Sequence, residues 1–137
     1  MMPEEVGTEE ELARGIFKDK AGKKIVIKAS HFYPNPAHSE EVSVTRLSFS
    51  QLEFCKKQFR SMAKPEERRF FGLIARLTSD FVFSIGLSCD ISPNAINSYH
   101  SNILPGLCKV GKGTPYPPEM RDLIDKVAQK AEPCYEE

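Results

Sequence analysis

Val42-Ser43-Val44-Thr45-Arg46-Leu47 decides how the chain begins to fold. Val42, Val44 and Arg46 fall on one side of a period-2 pattern and Ser43, Thr45 and Leu47 on the other, which is the signature of a β-strand with two different faces. An arginine sharing a face with two valines is costly unless it meets an acid or a bound anion. Arg46 is therefore a candidate site residue, and a salt bridge to Glu53 or Asp80 is the structural alternative.

Immediately downstream, Ser50-Gln51-Leu52-Glu53 has the form of a capping box, followed by Leu52, Cys55, Phe59 and Met62 at helical spacing. A helix is expected over residues 50–63, stopped by Lys64-Pro65 because the residue before proline avoids the helical region. Phe70 to Leu77 is ambiguous between strand and helix, since a short apolar run does not settle its period. The preferred reading is a helix from Pro65 running into a strand near Leu73. Thr78-Ser79-Asp80 caps a short helix that Gly86 closes, and residues 87–91 and 101–104 read as strands. Met120, Leu123, Ile124, Val127, Ala128 and Ala131 keep the spacing of an amphipathic helix opened by Pro117 and Pro118.

Upstream, Thr8-Glu9-Glu10-Glu11 before Leu12, Ala13 and Ile16 predicts a first helix ending near Phe17. Gly22 turns the chain into the β-branched run Ile25-Val26-Ile27, a predicted strand. Pro34 and Pro36 make residues 29–41 a loop that carries an exposed aromatic pair, Phe32 and Tyr33. The whole reads as an α+β single domain over residues 1–137. A small mixed or antiparallel sheet is packed by three to five helices, with an amphipathic C-terminal helix and flexible ends at 1–7 and 133–137.

The composition, 40% hydrophobic and 28% charged over 137 residues, is that of one globular domain. Nineteen basic residues balance nineteen acidic ones, so no net field draws the chain to nucleic acid or anionic lipid. The local basic stretch Lys56, Lys57, Arg60, Lys64, Arg68, Arg69 and Arg76 reads first as a solvated face and only third as a nucleic-acid surface. No apolar run approaches the ~20 residues of a membrane span, and the acidic start lacks the form of a secretory signal. Cytoplasmic residence and reduced thiols at Cys55, Cys89, Cys108 and Cys134 are the expectation.

No P-loop, dinucleotide fingerprint, zinc-protease helix or nucleophile elbow is present. Gly111-Lys112-Gly113-Thr114 lacks the strand and first glycine of a phosphate loop. The densest polar cluster is Asn97-Ser98-Tyr99-His100-Ser101-Asn102, within the loop expected over residues 92–106. His100 could act as a base or orient a phosphate, or could simply tie its loop to backbone carbonyls. Tyr99, His100, Asn102 and Arg46 are the ligand-binding candidates, and a shared cleft for Arg46 and His100 would make a phosphate or carboxylate site. His31 and His38 lack a third metal ligand, so no metal or cofactor is expected. A Cys108 nucleophile activated by His100 and Lys109 is a weaker alternative.

Ser43-Val44-Thr45-Arg46 and His100-Ser101-Asn102-Ile103, followed by Pro105 and the closing helix, resemble a family of small uncharacterised bacterial proteins. These share a Ser-Val-x-Arg strand, a His-x-Asn-Ile segment and a C-terminal helix. The resemblance implies no activity and highlights Arg46 and His100. The leading expectation is a non-enzymatic interaction module or accessory subunit of a bacterial complex, docking a protein partner through Phe32-Tyr33. The alternative is a protein or enzyme binding a nucleotide or other small phosphorylated ligand through Arg46 and His100. Nucleic acid ranks behind both.

Overall fold

The computed structural model describes residues 3, 5–33, 42–94, 96–104 and 118–137. Six strands form one open sheet: β1 (Glu11–Lys18), β2 (Val42–Arg46), β3 (Phe70–Thr78), β4 (Ser88–Ile91), β5 (His100–Leu104) and β6 (Glu132–Glu136). Their order is β4-β5-β2-β1-β3-β6, and every neighbouring pair is antiparallel. Three α-helices accompany the sheet among the described residues: α1 (Leu52–Met62), α2 (Ser79–Ser84) and α3 (Pro118–Lys130). The chain is thus a single small α+β domain, and no described helix is long and apolar enough to cross a membrane.

The sheet is covered on both faces, which is why its central strands lack a clean alternation. On one face Leu12, Ile16, Val42, Val44, Leu73 and Ile103 meet Met120, Ile124 and Val127 of α3, with Phe32 and Val82 between them. On the other, Ala13, Phe71 and Ile74 pack under Cys55 and Phe59 of α1. Gly15 makes the second contact possible, since a Cβ there would stand 2.6 Å from the Phe59 ring.

The first segment differs from its sequence reading. Residues 11–18 are a strand and not a helix, because β1 lies at the sheet's centre with apolar neighbours on both sides. Glu10, expected in a helical first turn, instead pairs with Arg46. Residues 25–27 belong to no strand: Ile25 and Ile27 pack on the core, but Val26 is 64% exposed and the segment has no ladder partner. The run Phe70–Thr78 is a strand throughout, with Pro65–Glu67 contributing only a 3-10 turn closed by Arg68 in the left-handed region (φ 58°).

Helix α1 starts after Gln51 without a side-chain cap, and the Ser50 hydroxyl lies against Cys55 Sγ at 3.5 Å instead. The chain does not end on α3. Residues 133–137, expected to be loose, carry β6, clamped by Arg60, which donates to both oxygens of Glu137 at 2.8 Å and to Tyr135 Oη. At the other end, the carbonyls of Pro3 and Glu5 accept from Arg46.

Candidate functional site

Arg46 is fully buried and its donors are met from within the chain. Nε and Nη2 donate to the two carboxylate oxygens of Glu10, each at 2.8 Å, while Nη1 and Nη2 donate to Pro3 O at 2.8 Å and Glu5 O at 3.0 Å. The guanidinium also lies 4.9 Å from the Phe49 ring centroid. The salt bridge anticipated for Arg46 is real, with Glu10 as partner in place of Glu53 or Asp80. Both residues lie on the α3 side of the sheet, as the pairing of Arg46 with Leu12 requires.

His100 stands on the opposite face. It pairs directly with Thr45, and neighbours along β2 alternate sides, so Thr45 and Arg46 point apart. His100 and Arg46 therefore share no cleft. His100 begins β5 instead of centring a loop, and its Nδ1 lies 2.8 Å from Ser92 O. A carbonyl can only accept, so Nδ1 carries the hydrogen and the neutral ring presents Nε2 as an acceptor. Asn102 donates to Asp90 Oδ1 at 3.0 Å and is 2% exposed, a cross-strand tie. The Tyr99 ring meets Phe54 edge-on at 5.0 Å. The loop before β5 is held by Asn94, whose Oδ1 accepts two backbone N–H groups, and by Asn97, which donates to Thr45 Oγ1 at 2.9 Å.

Of the four candidates, His100 alone lines a groove of about 770 Å³ among the described residues. That volume is within the range of small-molecule sites. The groove opens where β1 and β2 part. These strands pair only at Leu12↔Arg46 and Ala13↔Thr45, although β1 pairs with β3 along its whole length. Continued, the register would set Gly15 against Ser43; instead Arg14 Nη1 takes the Ser43 carbonyl at 2.6 Å, and Nε takes His31 O at 2.6 Å. The far wall is Gln58, Phe59, Ser61 and Met62 of α1, and Asn94, Ile96 and Asn97 close one end.

Two arginines, Arg14 and Arg69, and two histidines, His31 and His100, line this groove, and no Asp or Glu lines it among the described residues. Neither arginine forms an ion pair among the described residues. Burial pulls the Arg14 guanidinium down to about 10, helped by the charge of Arg69, so it remains protonated at neutral pH. Burial, Lys28 and Arg14 likewise hold the His31 imidazole below its usual value. His31 Nδ1 accepts the Lys28 N–H at 3.0 Å, which leaves Nε2–H as its donor when neutral. Arg69 lies over the Phe17 ring at 4.2 Å.

Arg14 falls within the segment whose sequence predicts a helix; in a strand its position between Leu12 and Ile16 marks it as a cation on a core-facing side. Arg69 belongs to the basic stretch whose pattern reads as a solvated face. Four members of that stretch, Lys56, Arg60, Lys64 and Arg76, are paired with Glu53, Glu137, Glu67 and Glu11. The aromatic pair expected to be exposed is not: Phe32 is fully buried and Tyr33 packs against the core. His38, the Cys108–Lys109 pair and Gly111-Lys112-Gly113-Thr114 lie outside the described residues.

No family model matches the chain, and neither curated proteins nor solved structures provide a match. Fold and site together define an open antiparallel α+β domain with a basic groove at a split in its sheet.

Proposed function

We propose that this chain binds a small organic anion, bearing a phosphate or carboxylate, in the groove between β1, β2 and α1. The observation that carries the reading is the charge of the lining: Arg14 and Arg69 with two histidines and, among the described residues, no acid. Guanidinium groups that meet no carboxylate among the described residues, in a concave and partly desolvated site, favour an anion that would supply the countercharge. The anion expected at Arg46 belongs on this proposal with Arg14 and Arg69, because Glu10 already neutralises Arg46. His100 remains in it as a lining residue whose Nδ1 is tied to Ser92 O. The role of interaction module, docking a protein partner or serving as accessory subunit in a bacterial cytoplasm, stands behind it, because Phe32 is buried.

Thermal-shift screening against sugar phosphates, nucleotides and carboxylates, followed by calorimetry, tests the proposal. Arg69→Gln is the cleaner variant, since Arg14 also braces the carbonyls of His31 and Ser43. Loss of one charged hydrogen bond should weaken binding by about tenfold to a hundredfold. Equal affinity in wild type and Arg69→Gln, or no anion bound by either, would remove the groove from consideration.

A further inference from the structure

We infer that the ligand of this groove is an amphiphile, an anionic headgroup carrying an aliphatic chain, and that it is not a nucleotide. The inference rests on the anion-binding reading above and adds the chemistry of the ligand's other end. Four large apolar side chains are exposed among the described residues, and two of them, Met62 (40% exposed) and Ile96 (76%), stand at this groove. They come from separate parts of the chain, the last turn of α1 and the loop before β5, so they converge through the fold and not through sequence. Exposed apolar side chains gathered at the mouth of a cavity mark a surface that an apolar group covers.

The aromatic rings argue against a flat base. A nucleobase in such a site gains affinity by stacking on a free aromatic face. Phe17 already carries the Arg69 guanidinium at 4.2 Å and leans on Phe71, with ring centroids 6.0 Å apart. Phe59 is only 6% exposed, held against Gly15 and Phe71. What the groove offers is flexible aliphatic surface, Met62 and Ile96, beside a cationic end at Arg14 and Arg69. Methionine in particular adapts to a chain of variable shape.

The test is calorimetry with the whole chain and a homologous series, hexanoate, octanoate and decanoate with the matching alkyl phosphates, below their micelle thresholds. Acetate, inorganic phosphate and adenosine monophosphate serve as polar references. Affinity should rise by about twofold to fourfold for each added methylene, the transfer value of a CH₂ group in a partly open site, with the nucleotide no tighter than inorganic phosphate. Met62→Ser with Ile96→Ser should flatten that slope, both positions being exposed enough to spare the fold, whereas Arg69→Gln should weaken every member alike.

Inorganic phosphate or the nucleotide binding as tightly as decanoate, each lost in Arg69→Gln, would overturn the amphiphile and leave the anion site standing. No binding by any compound overturns both. A slope unchanged in the serine variant would place the chain elsewhere and refute the inference. So would binding to phosphatidylglycerol vesicles without affinity for free chains, which would assign the surface to a membrane.

Discussion

Replacing Glu10 by Gln removes one charge from a pair that the fold has taken almost wholly out of water. Arg46 is 0% exposed and the Glu10 side chain 7%, and both carboxylate oxygens accept from the guanidinium at 2.8 Å. Glu10 Oε2 also accepts the Gly7 N–H at 2.6 Å. An amide has the same shape but only one acceptor, so its NH₂ would face a guanidinium donor and leave the arginine buried without a counter-charge. Removing one partner of a buried pair costs about 3–5 kcal/mol, roughly a fifth or more of the about 5–15 kcal/mol by which domains are stable.

Urea unfolding followed by circular dichroism at pH 7 measures this directly. At an m-value of about 2 kcal/mol/M the midpoint should fall by about 1.5–2.5 M. Pairing Glu10→Gln with Arg46→Met should recover much of the loss, because the stranded charge is then gone. Acid supplies an independent check. Burial alone would raise the Glu10 carboxyl, but hydrogen bonds from Arg46 and Gly7 and the Arg46 charge together hold it below its ordinary 4.5. A carboxyl with a lowered native pKa contributes stability that is complete above its unfolded value and is lost as pH falls through the native one. The gap between wild type and Glu10→Gln should therefore stay constant above pH 4.5 and narrow below it. A loss under about 1 kcal/mol at neutral pH, the value of an exposed pair, would refute the argument that Arg46 is structural.

Two further outcomes follow from packing. Gly15→Ala would set a methyl 2.6 Å from the body of the Phe59 ring, and overpacking of this kind costs about 1–3 kcal/mol; a urea midpoint unchanged from wild type would show that α1 shifts freely. The Cys89 thiol, pushed up to about 12 by burial and by the charges of Glu10 and Asp90, should resist iodoacetamide in the native protein at pH 8, where only about one molecule in ten thousand is thiolate. Peptide mapping that finds Cys89 alkylated as fast natively as in urea would contradict that environment.

Legibility in the sequence followed exposure. α1 was readable because only Cys55 and Phe59 of it are buried, and β2 because Ser43 is exposed between buried Val42 and Val44, although Thr45 on the same side as Ser43 is buried under the groove. β1 and β3 are covered on both sides, so the period-2 signal vanishes and Leu12, Ala13 and Ile16 fit a helix as readily as a strand. β6 fails in the opposite way. Glu132, Pro133 and Glu136 are the residues of a protected sheet edge, with charge and proline against further pairing, and nothing apolar in their spacing announces a strand. Ile25-Val26-Ile27 shows the converse error, β-branched residues with no neighbour to complete a ladder.

The site was half legible for a related reason. Strand periodicity correctly assigned Arg46 to the face of Val42 and Val44, and a cation there must meet a charge or an anion. The pattern alone does not say which, because Glu10 lies far from Arg46 in sequence and in a segment read as a helix. Arg14 poses the same problem one strand away, between Leu12 and Ile16, and there the fold answers differently. Arg46 meets the Glu10 carboxylate through Nε and Nη2 and two further carbonyls, while Arg14 meets only the neutral carbonyls of His31 and Ser43. Hydrogen bonds to carbonyls fix the orientation of a guanidinium without cancelling its charge. With Arg69 close enough to depress it and no acid lining the groove among the described residues, Arg14 is oriented and meets no countercharge there. Burial does not separate the structural arginine from the ligand-binding one; the charge of the partner does, and that property belongs to the assembled sheet.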